Sequence, residues 1–284
     1  MPPESSASAD LHLHSDRSDG TETPATVVRQ ARLAGLATIA LTDHDTTRGW
    51  DEASQAALRE GIALLPGAEI SSKHRGFSVH VLAYLFDPTH PELTRLMARV
   101  RDDRIGRAEQ FVENLAREYP LTWDDVIAQR ADDATIGRPH IADALVAGGF
   151  ATSREDAFRG PLNPAGRHYV GHYAPDPLEV VRLIVRAGGV AVIAHPAGRG
   201  MMPDRMIRAL LAEGLAGFEL GHRENVRSGV MHLRSFVEAH DLIVTGSSDY
   251  HGAGKPNRLG EHTTAPVMVD RIIAGASGSA PILG

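Results

Sequence analysis

Val190-Ala191-Val192-Ile193-Ala194-His195-Pro196 is an unbroken apolar run that ends in a histidine. Apolar residues without alternation suit a short strand buried on both faces, as in a parallel sheet. The flanking segments repeat the unit. Residues 178–187 read as a helix before it, and 206–213, 217–220, 230–239 and 243–246 alternate helix and strand after it. The first part of the chain reads the same way. Residues 11–14 are strand-like, and Thr23 then stands as an N-cap with Pro24 at the first helical position. Gly35 ends that helix. Residues 37–41 form a short apolar strand, followed by a helix to Glu60, a strand over 62–66 and an extended stretch over 77–86. Such alternation predicts an α/β fold around a parallel sheet.

The pattern changes near Pro91. Leu93, Leu96, Met97, Val100, Phe111, Val112 and Leu115 recur at helical spacing, and 123–127 and 141–146 continue it. This predicts a helical insertion over 91–169 that caps the site, closed by the Pro/Gly-rich stretch 160–171. The barrel itself is then discontinuous, 10–90 and 170–274, with flexible tails at 1–9 and 275–284.

Composition narrows the function. The chain has 284 residues, within reach of one α/β barrel, and no cysteine, which removes thiolate metal sites and cysteine nucleophiles. That absence accords with a reducing cytoplasm, the expected location. The opening residues lack the apolar core of a secretory signal, and no stretch is long and apolar enough to span a bilayer. The formal charge of −7 speaks against a grip on long duplex nucleic acid, which needs a broad basic face. No membrane and no obligate protein partner are expected.

The polar residues fall at the predicted strand ends. His12 and His14 are two apart on the first strand, so both imidazoles project to one side. Thr42-Asp43-His44-Asp45 follows the second strand and Glu69 the third, and His80 lies in the next. His195 follows residues 190–194, Glu219 sits in its strand, and Asp249-Tyr250-His251 follows residues 243–246. In a parallel barrel these ends meet on one face, where active sites are built. Imidazole and carboxylate at successive strand ends form a metal-site pattern.

Asp10-Leu11-His12-Leu13-His14-Ser15 with Ser18-Asp19-Gly20, Thr42-Asp43-His44-Asp45, Ala194-His195-Pro196 and Ser248-Asp249-Tyr250-His251-Gly252 together resemble, in order, the four motifs of the PHP (polymerase and histidinol phosphatase) family. Gly137-Arg138-Pro139-His140-Ile141-Ala142 resembles part of the insertion in its nucleotide-phosphatase and exonuclease branch. The resemblance implies a distorted (β/α)7 TIM-like barrel with an inserted helical subdomain, holding two to three divalent transition metal ions. Motif by motif, it implies that His12, His14, Glu69 and Asp249 hold a first ion. Glu69 bridges to a second with His80 and His195, and Asp19, His44 and His251 hold a third. Nitrogen and oxygen donors suit manganese, iron or zinc alike.

A water bridging such ions supplies hydroxide near neutral pH for in-line attack on phosphorus. Arg138, opening a helix after Gly137, and His222, just past a strand, are candidates to bind substrate phosphate, His222 also to protonate the leaving group. Arg104 and Arg107 read as solvated helix charges, Glu219 as support for a ligand or a satisfied strand-end acid, and Lys255 as one of several rim residues. The leading reading is a phosphoesterase acting on small nucleotides such as nucleoside 3′,5′-bisphosphates or AMP, or on short 5′-phosphorylated oligoribonucleotides. The alternatives are a histidinol-phosphate phosphatase, which the insertion disfavours, and a metal-stabilised accessory or binding module without activity.

Overall fold

The computed structural model describes residues 8–130, 136–171, 173–198 and 200–284. Residues 1–7 of the expected lead-in and 131–135 of the expected helical stretch lie outside these. Seven strands form one sheet in chain order: β1 (Ala9–Leu13), β2 (Thr38–Leu41), β3 (Ala63–His74), β4 (Phe77–Tyr84), β5 (Val190–Ile193), β6 (Gly217–Gly221) and β7 (Ile243–Gly246). A parallel bridge from Leu13 to Tyr250 brings the first and last strands together, so the sheet is a nearly closed barrel. Helices α1 (Pro24–Leu33) and α2 (Trp50–Glu60) connect the first three strands. Between β4 and β5 run α3 (Pro91–Leu115), α4 (Trp123–Ile127), α5 (Arg138–Ala147), α6 (Arg154–Arg159) and α7 (Pro177–Arg186). Helices α8 (Asp204–Ala212), α9 (Arg227–His240) and α10 (Pro266–Gly275) complete the order.

The sheet is not wholly parallel. β4 runs antiparallel to both β3 and β5. The two residues joining β3 to β4, Arg75 and Gly76, both have positive φ, 46° and 94°. Two such residues make the primed turn that matches strand twist, so the chain turns straight back without a crossover helix. β3 is also longer than its apolar run suggests, because Glu69, Ser71 and Ser72 continue it, buried. This is the distortion that puts Glu69 and His80 on neighbouring strands, with Ser71 opposite His80.

The ends of elements follow local chemistry. Thr23 caps α1 by accepting from the Thr26 N–H, with Pro24 inside the first turn, and Asp176 does the same for α7 through the Leu178 N–H at 2.9 Å. The barrel interior is filled by Leu11, Leu65, Leu82, Tyr84 and Val192, whereas α1 and α2 pack over β1 to β3 around Val27, Val28, Ile39 and Leu64. A separate apolar cluster, built on Phe111, Leu115, Val126, Ile141 and Leu145, holds the second half of α3 to α4 and α5. No helix among the described residues is long and apolar enough to cross a membrane.

Residues 8 and 9 and the C-terminal stretch both pair with the rest of the chain through their backbone. Ala9 already belongs to β1, and the Ser8 carbonyl accepts from the Ala37 N–H. The Gly/Ser/Ala-rich end is pinned rather than frayed. Ser277 and Gly278 donate to the Gly188 carbonyl, and Leu64 and Ile282 exchange backbone hydrogen bonds. Backbone pairing needs no particular side chains, so small-residue composition does not reveal it.

Candidate active site

The loops and strand ends at one mouth of the barrel gather the polar residues. His12 lies within β1 and His14 just past it, and both are fully buried. The strand register slips between Asp10 and Leu13 in β1 and between Glu219 and Gly221 in β6. Such irregularities re-aim side chains at sheet ends, and here they bracket His12 and Leu220. His195 and Asp249 have left-handed backbone, φ 33° and 56°, a strained state for non-glycine residues that clusters at functional sites.

Glu69 is the hub. Its Oε2 lies 3.2 Å from His12 Nε2, 3.1 Å from His14 Nε2 and 3.3 Å from His44 Nδ1. Its Oε1 lies 2.6 Å from His80 Nδ1 and 3.3 Å from His195 Nε2. Asp249 Oδ1 lies 3.4 Å from His14 Nε2, and Asp19 Oδ1 lies 3.2 Å from His251 Nε2. Three groups have donor atoms mutually within 4.8 Å: His12, His14, Glu69 and Asp249; His14, Asp19, His44 and His251; and His44, Glu69 and His80. All nine residues singled out in the sequence thus come to one place. His195 joins through Glu69 rather than through the grouping around His80.

The donor chemistry fits cations. His12 Nε2, His14 Nε2, His44 Nδ1 and His251 Nε2 are buried with no hydrogen-bond partner, a costly arrangement that a metal ion relieves. The far nitrogens are committed. His12 donates from Nδ1 to Glu219 Oε1 at 2.9 Å, and His251 from Nδ1 to the Asp249 carbonyl at 2.9 Å. Those bonds fix the tautomer and aim the other nitrogen inward. Burial would raise the carboxyls of Asp19, Glu69 and Asp249, but the surrounding imidazoles, and Lys255 at Asp249, hold all three well below the usual range. They are therefore ionised. Burial brings His44 well below its ordinary value, leaving the neutral, ligating form. Burial opposes a proton on His14, yet the carboxylates of Asp249 and Glu69 close to its Nε2 hold its pKa up at about 9.

The supporting residues were the less legible part. Glu219 is fully buried, accepts from His12 on one oxygen and from the His195 N–H at 2.8 Å on the other, and so orients two strand ends. Asp43 ties down the loop after β1 through the Ser15 N–H and the Ser15 and Ser18 hydroxyls, at 2.6 to 2.8 Å. Asp45 accepts from the Ser71 N–H and hydroxyl, both at 2.9 Å. Lys255 is no loose rim residue, since its Nζ lies 2.7 Å from Asp249 Oδ2. His222 accepts the Glu224 N–H on Nδ1 at 3.1 Å, so its proton sits on Nε2, buried and 3.7 Å from Asp249 Oδ2. Arg138 lies on the insertion side with its guanidinium over Phe158 and a 3.5 Å hydrogen bond to the Leu162 carbonyl. A small cavity against His80 and His195 is lined by Phe77 and Met202, and an open groove of about 740 Å³ along α3 borders Arg107 but none of the cluster.

A barrel whose mouth converges ionised carboxylates and aimed imidazoles defines a metal-dependent hydrolase. Comparison with known proteins makes the class specific. Residues 10–129 match the PHP domain. The 3′,5′-nucleoside bisphosphate phosphatase of Chromobacterium violaceum is 34% identical over 262 residues, covering 90% of this chain and 92% of that protein. A 5′-3′ exoribonuclease of Haemophilus influenzae is 33% identical over 247 residues, 85% of this chain and 89% of its own. A crystal structure named as a metal-dependent phosphoesterase from Bifidobacterium adolescentis superposes with a TM-score of 0.92 at 42% identity, covering 95% of this chain and 96% of that one. The chain belongs to the PHP family. It is a metal-dependent phosphoesterase, a hydrolase of phosphate ester bonds.

Proposed function

We propose that the enzyme hydrolyses phosphate esters of small nucleotides, such as nucleoside 3′,5′-bisphosphates, or of short 5′-phosphorylated oligoribonucleotides, in the cytoplasm. The observation that carries the reading is the set of buried imidazole nitrogens aimed, without hydrogen-bond partners, at three ionised carboxylates. His12, His14, Asp19, His44, Glu69, His80, His195, Asp249 and His251 would hold two to three manganese, iron or zinc ions. Bound ions of this kind lower the pKa of water and neutralise charge that develops on a phosphoryl group.

The chain supplies the rest. His222, protonated on Nε2 beside Asp249, is placed to give a proton to the departing oxygen. Arg138 binds a substrate phosphate through its planar guanidinium. Helices α3 to α6 form a cap over the mouth and leave room for short rather than long strands. Arg104 on α3 reaches Asp45 and Ser71 across that boundary. The similarity to a bisphosphate phosphatase and an exoribonuclease, each over most of its length, supports this substrate class.

The test is turnover by purified, manganese-supplemented protein of adenosine 3′,5′-bisphosphate, AMP, a 5′-phosphorylated RNA trimer and histidinol phosphate, read as phosphate and mononucleotide release. Nucleotide substrates are hydrolysed in preference to histidinol phosphate. Failure on every nucleotide with metals bound overturns the reading.

A further inference from the structure

Phe77 is the one exposed aromatic side chain among the described residues, at 54%. A lone exposed apolar residue is ordinary, but the surroundings of this one are not. Phe77 opens β4, just past the turn at Arg75-Gly76 and three residues before His80. The edge of its ring rests on Gly200, where an added β-carbon would come within 3.2 Å of Cε1 and 3.4 Å of Cδ1. Gly200 has φ 113°, a backbone state that side chains rarely adopt. The loop after His195 thus meets the ring as bare backbone and braces one edge, while the rest stays open.

A cleft joins this ring to the metal-ligand cluster. β4 pairs with β5 only from Val81 onward, with one further hydrogen bond from the Ala194 N–H to the His80 carbonyl at 3.0 Å. Residues 77–79 therefore leave an edge unpaired with β5, and His80, His195 and Phe77 together line the cleft beside it. Ile193, Met201, Met202, Pro203 and Met206 make its apolar walls. Its two other polar residues are engaged, His74 with Asp176 at 3.0 Å and Ser78 with His80 at 3.1 Å. The cleft holds about 30 Å³, room for about one water, so a larger group lies across its mouth rather than inside. Three residues of strand span about 10 Å, the reach of a phosphate, a sugar and a planar ring in succession. A nucleotide with its phosphate at the metal-ligand cluster would place its base on the open part of the Phe77 ring.

We infer that Phe77 is a stacking platform for the nucleobase of the substrate, and that it recognises the face of the base rather than its hydrogen-bonding edge. A π-face accepts every base, and walls whose polar groups are already engaged read none of them. The inference rests on the functional reading above and extends it to how the substrate is chosen: nucleotides over plain sugar phosphates, with little regard to the base. Phe77 is a specificity residue here, remote from the reacting atoms.

The experiment measures kcat/KM of the full-length, manganese-loaded enzyme for AMP, IMP and ribose 5-phosphate, in the wild type, Phe77→Ala, Phe77→Leu and Phe77→Trp. Loss of one base–aromatic stack corresponds to about a five- to one-hundredfold fall in the ratio of AMP to ribose 5-phosphate in Phe77→Ala. Phe77→Leu, apolar but without a π-face, falls about as far, whereas Phe77→Trp keeps or raises the ratio. AMP and IMP share their rings and differ at the edge, so in the wild type they stay within about threefold of each other. A ratio within about threefold of the wild type in Phe77→Ala, or one that Phe77→Leu preserves, overturns the platform. A wider gap between AMP and IMP overturns recognition by the face alone. Thermal melts of each variant identify any loss that comes from unfolding. If the wild type hydrolyses no nucleotide, the functional reading fails by itself, and the ratio of calorimetric Kd values for AMP and ribose 5-phosphate decides the platform by the same criterion. AMP that binds no more tightly than ribose 5-phosphate overturns the platform as well.

Discussion

Glu219 Oε1 lies 2.9 Å from His12 Nδ1 while its Oε2 accepts the His195 N–H at 2.8 Å, and both side chains of the His12–Glu219 pair are fully buried. One carboxylate on β6 thereby sets the ring of β1 and the backbone at the end of β5. Burial would raise its pKa, but the charge of His12 outweighs that and keeps it ionised. Glu219→Gln preserves the shape but removes one acceptor, so His12 or the His195 N–H loses its partner. Metal affinity, measured by manganese titration calorimetry, falls by about ten- to one-hundredfold, the usual cost of losing such support. An unchanged affinity shows that Glu219 does not orient the site.

His222→Asn separates proton donation from binding. If Nε2 protonates the leaving oxygen, kcat for AMP falls by about a hundredfold or more, whereas p-nitrophenyl phosphate, whose leaving group needs no proton, is affected far less. Steady-state kinetics on both substrates read this directly. Equal losses on both assign His222 to phosphate binding instead.

Metal binding strengthens as pH rises. In the metal-free chain burial opposes a proton on His14, but the nearby carboxylates of Asp249 and Glu69 hold its pKa at about 9, above the ordinary 6.5. That raised value favours the metal-free fold below pH 6.5, and the contribution is lost as pH climbs through 9. An ion must displace the same proton, so its affinity moves the opposite way, by about tenfold per pH unit for each proton released. Apparent manganese Kd at pH 6.5, 7.5 and 8.5 should fall steadily. A flat series rules out proton competition at this cluster.

Phe111, fully buried, anchors the apolar cluster that joins α3 to α4 and α5. Phe111→Ala leaves a cavity there and should cost about 3–5 kcal/mol of stability by denaturant unfolding. A change below about 1 kcal/mol would mean the cluster collapses around the gap.

Much of the site was legible because it depends on strand periodicity. His12 and His14, two apart on one strand, and single acids or histidines after apolar runs needed only the rule that strand ends of a barrel converge. The parts that stayed hidden depend on contacts distant in sequence. Arg75-Gly76 is no standard hairpin signal, so the sequence marks 77–86 only as extended and carries no sign that β4 runs antiparallel to β3. Arg104 and Arg107 have the spacing of any exposed helix charge, and only the approach of Asp45, Ser71 and Val170 shows them to be enclosed. Lys255 meets Asp249 through the loop after β7, for which no periodic pattern exists.

On the proposed function, phosphoester hydrolysis depends on ions bound by this cluster. The most direct measurement strips the protein with a chelator, adds manganese in steps, and follows both bound metal and phosphate release from adenosine 3′,5′-bisphosphate. The stripped enzyme should be inactive, with turnover returning as two to three ions bind per chain, and Asp249→Ala should neither bind the full complement nor recover. Full activity in the stripped protein, or full occupancy without turnover, would contradict the account.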